Sequence, residues 1–129
     1  MDFFDVVVIG GGSAGYAAAN TAQSKGAKVA IVDKGPLGGL CILRGCMPTK
    51  TILRSSDVLA LMHRAKEFGL SVSNPSADLS LINDRKIRLI NEFASYRIEQ
   101  LNDPKFTLIE EHASDRKSTR LNSSHVKRS

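Results

Sequence analysis

No apolar run in this 129-residue chain approaches the ~20 residues that a membrane span needs, so no membrane-spanning helix is expected in it. The N-terminus lacks the positive charge that opens a secretory signal; Asp2 and Asp5 stand there instead. A cytoplasmic location is the expectation. Cysteine is scarce, with two residues, and histidine scarcely commoner, with three. Two cysteines with no histidine nearby leave a zinc site short of ligands, so no metal is expected. In a cytosolic chain two cysteines point to redox or metal chemistry before a structural staple. Internal repeats are absent, and so is low complexity before residue 115.

Acidic residues are outnumbered, and the net charge of +5 invites a nucleic-acid reading. Position argues against it. Residues 115–129 hold Arg116, Lys117, Arg120, Lys127 and Arg128 against one acid, Asp115, so the tail carries +4 and the other 114 residues only +1. The tail also loses all hydrophobic periodicity. From Asp115 to His125 it matches, residue for residue, the translation of a sequencing adapter; a natural disordered basic tail is the alternative for such a composition. The expected organisation is therefore a domain portion over 1–114 and a disordered, adapter-derived tail over 115–129. The natural polypeptide is expected to continue differently past Ser114, which makes this chain a fragment.

What is present reads as α/β. Asp5–Ile9 is a short β-branched apolar run that fits a buried parallel strand. Gly10–Gly15 is a turn, and Ala14–Lys25 an alanine-rich helix stopped near Gly26. Lys28–Asp33 reads as a second buried strand, completing a βαβ unit. Gly35–Gly45 reads as a glycine-rich loop, and a long helix is expected from about Pro48 to Phe68. After a linker over 69–77, Asp78 can cap a helix over Leu79–Leu101, with an apolar stripe of Leu79, Ile82, Leu89, Ile90, Phe93 and Leu101. Asn102-Asp103-Pro104 breaks it, and Phe106–Glu110 reads as a further strand.

A lone G-x-G-x-x-G is weak, but Gly10, Gly12 and Gly15 stand between a strand and a helix. Gly10 permits the tight turn, Gly12 lets backbone approach a pyrophosphate, and Gly15 lets helix pack closely on strand. The phosphate would sit on free N–H groups at the helix start. Asp33 follows Gly10 by 23 residues, near the spacing of an acid that binds a ribose hydroxyl. The loop leaves open whether the nucleotide is a flavin or a nicotinamide one.

Both cysteines fall in Gly38–Pro48. In a regular helix Cys41 and Cys46 would have Cα atoms ~8–9 Å apart, beyond the ~7 Å limit of a disulfide. A bridge requires a distorted segment, which Gly45 can supply. Cys46 falls at or just before the start of the next helix, where the dipole favours a thiolate. A redox pair is the favoured reading; a structural disulfide, a zinc site and two inert cysteines remain open.

The stretch Gly38–Pro48 resembles the active-site signature of the class I pyridine nucleotide–disulfide oxidoreductases, the family of dihydrolipoamide dehydrogenase, glutathione reductase and mercuric reductase. That signature is G-G-x-C, an aliphatic residue, two free positions, G-C, an aliphatic residue and P, and each fixed position is met. Val6–Asn20 resembles the family's FAD-binding loop, and the similarity runs from about Asp5 to Ala113. The resemblance implies a partial Rossmann-type FAD-binding domain, with electrons passing from NAD(P)H through FAD to a Cys41–Cys46 disulfide and on to a small-molecule substrate. It implies that Cys46 is the thiolate beside the flavin and Cys41 the interchange thiol. Lys50 matches the family lysine near flavin N5, and Asp33 takes the place of the usual ribose-binding glutamate. Ser13, Ala14, Lys34 and Gly39 join Gly10, Gly12 and Gly15 as implied cofactor contacts, and Ala113 aligns with a backbone contact to adenine.

Departures fall at variable positions: Leu40 for threonine, Leu43-Arg44 for Asn-Val, Thr49 for serine and Glu111 for glycine. The family's nicotinamide and dimerisation domains have no counterpart in this stretch, and neither His63 nor His112 matches its acid–base histidine. A homodimer is implied for the full-length protein, and neither nucleic acid nor membrane is expected as a partner. The substrate stays open between a disulfide and a metal ion such as Hg(II). The alternative reading is a non-catalytic FAD- or NAD-binding module.

Overall fold

A computed structural model of the protein describes residues 3–114. The tail expected over 115–129 lies outside the described residues.

Three parallel strands, β1 (Val6–Ile9), β2 (Val29–Val32) and β3 (Phe106–Ile109), form a sheet in the order β1-β2-β3. Val6 pairs with Val29 and Val29 with Phe106, and this register holds along each strand. One face therefore carries Val6, Val8, Val29, Ile31, Phe106 and Leu108. Those side chains build the core with Ala19 and Leu101. Burial of so much apolar surface is the main stabilising term. Tyr16 adds an edge-on aromatic contact with Phe106, centroids 6.1 Å apart.

The first crossover is α1 (Ser13–Ser24). It ends where Gly26 turns to φ +89°, its N–H donating to Gln23 O while Ala27 N–H donates to Ala22 O. The second crossover holds α2 (Gly39–Leu43), α3 (Cys46–His63), a 3-10 turn (Ala65–Phe68) and α4 (Leu79–Leu101). Asp78 caps α4, its Oδ1 accepting from Ser80 N at 2.8 Å and Leu81 N at 3.2 Å. This is the partial Rossmann-type α/β arrangement expected from the sequence.

Three expectations need correction. Gly35–Gly45 is not all loop, because Gly39–Leu43 closes a short helix. The following helix begins at Cys46 rather than Pro48 and stops at His63, the chain tightening into the 3-10 turn before Phe68. The stripe on α4 is only partly buried: Leu101 is fully enclosed, but Leu79 is 78% and Phe93 43% exposed. The cause is architectural. The C-terminal part of α4 lies on the sheet, while its remainder packs on α3, where a single residue, Thr51, is buried.

Candidate nucleotide and dithiol site

The turn after β1 is built for close approach. Gly10 adopts φ +99°, a conformation that side chains disfavour. A methyl group on Gly15 would run into the Gly10 carbonyl oxygen and the Val8 side chain, so the first turn of α1 rests directly on the end of β1. Gly12 is the N-cap of α1; no side chain bonds the free N–H groups there, and no acid lies in the first turn. Those donors suit an anion. Ser13 and Ala14 are exposed beside them.

Asp33, just past β2, uses both carboxylate oxygens on backbone. Oδ2 accepts from Gly11 N at 2.6 Å and Oδ1 from Gly35 N at 2.8 Å. It thus ties the glycine loop to the turn after β2, a structural role that sequence reasoning missed. The Asp-x-Gly spacing of Asp33 and Gly35 is the one available signal for it. Each oxygen keeps further lone-pair capacity for a ribose hydroxyl.

At the C-terminal ends of the strands lies a cavity of about 240 Å³, lined by Ile9, Gly10, Val32, Asp33, Lys34, Glu111, His112 and Ala113. Ligands of open parallel sheets bind at this end. The fold thus brings Gly10, Asp33, Lys34 and Ala113 together from distant positions. On the other side of Asp33 a second cavity, also about 240 Å³, is walled by Gly35, Pro36, Gly39, Leu40, Leu43 and Arg44. An open-ended turn, free N–H groups and cavities at the strand ends fit a dinucleotide.

The cysteine segment is pressed against this loop. Gly39 sits at φ +77°, and a Cβ there would lie 2.6 Å from Gly12 Cα. From that contact α2 carries Cys41, the chain breaks at Arg44-Gly45, and Cys46 opens α3. Gly45 sits where space is tight: a Cβ would lie 3.1 Å from Leu40 O and 3.3 Å from Cys41 Cα, so α2 would have to give by a few tenths of an ångström. The break between two helices supplies the distorted segment that a Cys41–Cys46 bridge requires.

Both cysteines are free thiols here, Cys41 half-buried and Cys46 exposed. A hydrogen bond to the Cys46 side chain holds the Cys41 thiol above its ordinary value, with desolvation and the neighbouring charge adding to it. Lys50 lies four residues after Cys46 on α3, one turn along the same face, and is exposed.

A close thiol pair joined to a dinucleotide-type loop is the arrangement on which the comparisons converge. The sequence profile described as pyridine nucleotide-disulphide oxidoreductase matches residues 4–124. The chain belongs to this family. Dihydrolipoyl dehydrogenase of Bacillus subtilis (strain 168) is 38% identical over 92 residues, covering 71% of this chain and 19% of the relative. Dihydrolipoyl dehydrogenase of Chlorobaculum parvum (strain DSM 263 / NCIMB 8327) is 48% identical over 88 residues, 67% of this chain and 19% of the relative. Mercuric reductase of Staphylococcus aureus is 34% identical over 126 residues, 95% of this chain and 23% of the relative. The chain spans about a fifth of the length of these curated relatives.

The two histidines among the described residues differ in place: His63 ends α3 in the open and lines neither cavity, whereas His112 is exposed on the wall of the first cavity beside Ala113. Among the described residues, no helix is long and apolar enough to cross a membrane, and no group of three or more His, Cys, Asp or Glu gathers to hold a metal ion.

Proposed function

We propose that this chain is the N-terminal part of an FAD-dependent NAD(P)H:disulfide oxidoreductase, and that Cys41 and Cys46 are its redox pair. The observation that carries the reading is the placement of Cys41 and Cys46 on either side of the break between α2 and α3, on a segment packed, through Gly39 and Gly12, onto the glycine loop. Gly10, Gly12, Ser13, Ala14 and Gly15 would hold the pyrophosphate. Asp33 and Lys34 would meet the adenosine ribose, Ala113 the adenine, and Gly39 and Lys50 the remainder of the cofactor. Bound there, the flavin would supply two-electron transfer from NAD(P)H to the cysteine disulfide.

The chain's own chemistry then follows from the sulfur atoms. Proton transfer from Cys41 to the Cys46 thiolate frees Cys41 as a nucleophile. Its sulfur attacks one sulfur of a substrate disulfide and expels the other as a thiolate, leaving a mixed disulfide. Cys46, after passing that proton to the expelled substrate thiolate, attacks the Cys41 sulfur, releases the second substrate sulfur as a thiolate and re-forms the Cys41–Cys46 bond. Lys50 would supply positive charge on the Cys46 face. Names among the relatives point to dihydrolipoyl and mercuric substrates, so the substrate class is a disulfide or a soft metal ion. The full-length protein would work as a cytoplasmic homodimer.

The test is spectroscopic. The chain is loaded with FAD, reduced with a dithiol and scanned for the long-wavelength absorbance that a thiolate adds against an oxidised flavin ring. The expected result is a band that Cys46→Ala abolishes and Cys41→Ala keeps. A flavin spectrum indifferent to thiol reduction and to both substitutions would leave a non-catalytic FAD- or NAD-binding module. The chain alone is expected to hold FAD weakly and to turn over no NADPH; tight FAD retention with steady NADPH oxidation contradicts that.

A further inference from the structure

We propose that the cleft between α3 and the start of α4 binds a straight-chain aliphatic carboxylate, its head held by Arg54 and Arg85 and its chain laid on an apolar floor. The cleft shares no residue with the glycine loop, the thiols or the two strand-end cavities, and the proposal does not depend on the nucleotide reading.

The cleft exists because two helices meet without filling the space between them. They are tied where Arg85 Nη1 donates to Thr51 O at 3.2 Å, and Thr51 is the one buried residue of α3. Past that tie the gap is faced by Ser55 on α3 and by Ser76 and Ala77 ahead of α4, all too small to close it. The space left measures about 540 Å³, within the ~300–1,000 Å³ of pockets that take a small molecule. Its floor is Leu59, Met62 and Ile82, each half-buried. Met62 stands eight positions after Arg54, about 12 Å along the helix axis. The floor is therefore long and narrow, the shape of an extended alkyl chain.

Charge gives the cleft a direction. Arg54 and Arg85 stand at one end. Among the described residues Arg54 has no ion pair or side-chain hydrogen bond, and Asp57, one turn further along α3, is not on the wall. Arg85 keeps donors beyond the Nη1 used on Thr51 O. The one acid of the lining, Asp78, stands at the other end, its Oδ1 accepting from Ser80 N and Leu81 N. An anionic head is drawn to the arginines and repelled by Asp78, so the ligand lies one way round. Guanidinium groups match a carboxylate with paired N–H donors. A bare anion would leave the floor wet, and an alkyl alcohol would leave the arginines without a charged partner.

The experiment is an amide-resolved NMR titration of the chain with octanoate, with octanol and acetate as the uncharged and tailless controls. Saturable shifts confined to residues 54–62 and 76–85 are expected, with one octanoate per chain and both controls at least about tenfold weaker. Arg54→Ala is expected to weaken octanoate about fivefold. Leu81→Asp puts an acid in the wall and in the first turn of α4, where the helix dipole tolerates it, and is expected to abolish binding. Circular dichroism checks that both variants keep the fold. Equal affinity for octanoate and octanol, or shifts at Val7 and Ile9 as large as those in the cleft, would mean general adsorption to apolar surface and overturn the site. Shifts of the same cleft residues that follow protein concentration without octanoate would put a second copy of the chain there instead, and also overturn it.

Discussion

Cys41 and Cys46 are the same residue type five positions apart, yet they have different surroundings. Cys41 is half-buried in α2, its thiol pushed up chiefly by the Cys46 side chain; Cys46 is exposed at the head of α3. The hydrogen bond raises Cys41, so removing the partner lowers it. In Cys46→Ala the pH midpoint of Cys41 alkylation is expected to move down compared with Cys41 in the reduced wild-type chain, read by mass spectrometry after timed iodoacetamide pulses. A midpoint that stays put would mean the Cys46 contact does not hold the Cys41 proton. Glycines separate in the same way. Gly39→Ala combines a positive φ with a 2.6 Å approach to Gly12 Cα and is expected to cost about 2–4 kcal/mol. Gly26→Ala has φ +89° but open space and should cost about 1–2 kcal/mol. Urea melts that rank the two equally would remove the Gly12–Gly39 contact from the account. Glycine spacing was enough to put the turn between β1 and α1, where it lies, because a strand, a tight turn and a helix leave little choice. Sequence reasoning missed the bonds from Asp33 to Gly11 and Gly35, since a carboxylate's partners depend on which backbone the fold brings near.

Helix α4 was legible to the residue, Leu79 to Leu101, because Asp78 announces its start and Asn102-Asp103-Pro104 its end. Helix α2 was not. It is only five residues long, begins on two glycines with φ +123° and +77°, and is positioned by Gly12 and α3. Local propensity carries little signal for such a piece. The cap on α4 is testable: Asp78→Ala should lower stability by about 1 kcal/mol, and Asp78→Asn by much less. The turn into β3 carries a pH dependence. Lys105 N–H donates to the Asp103 carboxylate, and the Lys105 ammonium at 3.3 Å adds to the effect, so Asp103 is held below the ordinary carboxylate value. A depressed folded value stabilises above the unfolded one, and that contribution is lost as pH falls through the folded value. Asp103→Asn should therefore lower thermal stability slightly at neutral pH, where the carboxylate's contribution is present, change it little at the acid end, and so make the acid limb shallower. An acid limb of unaltered slope would show that the turn does not contribute to it.

The sheet as a whole is covered on one side. Its core face meets α1 and the end of α4, while the opposite face carries Val7, Ile9, Ala30, Val32, Thr107 and Ile109. Val7 and Ile9 are 54% and 60% exposed there. Parallel sheets ordinarily have both faces buried, so the sequence pattern, an unbroken apolar β1, was right about the strand and gave no warning that one of its faces is open. β1 is also an edge in the described sheet, pairing only with β2, and Val6–Ile9 holds no charge or proline to block further pairing. Exposed apolar residues on α3 and α4, among them Leu61 and Phe93, extend the same property to the helical side. Self-association of this chain is the expected outcome of this surface, with the open face of β1 as its predicted seat. The double substitution Val7→Lys, Ile9→Lys alters only exposed positions, so the far-ultraviolet spectrum should be kept while sedimentation velocity shows a larger monomer fraction at the same concentration. If the monomer fraction stays the same with the fold intact, the open sheet face is not what draws copies together, and the α3–α4 surface becomes the one to substitute next.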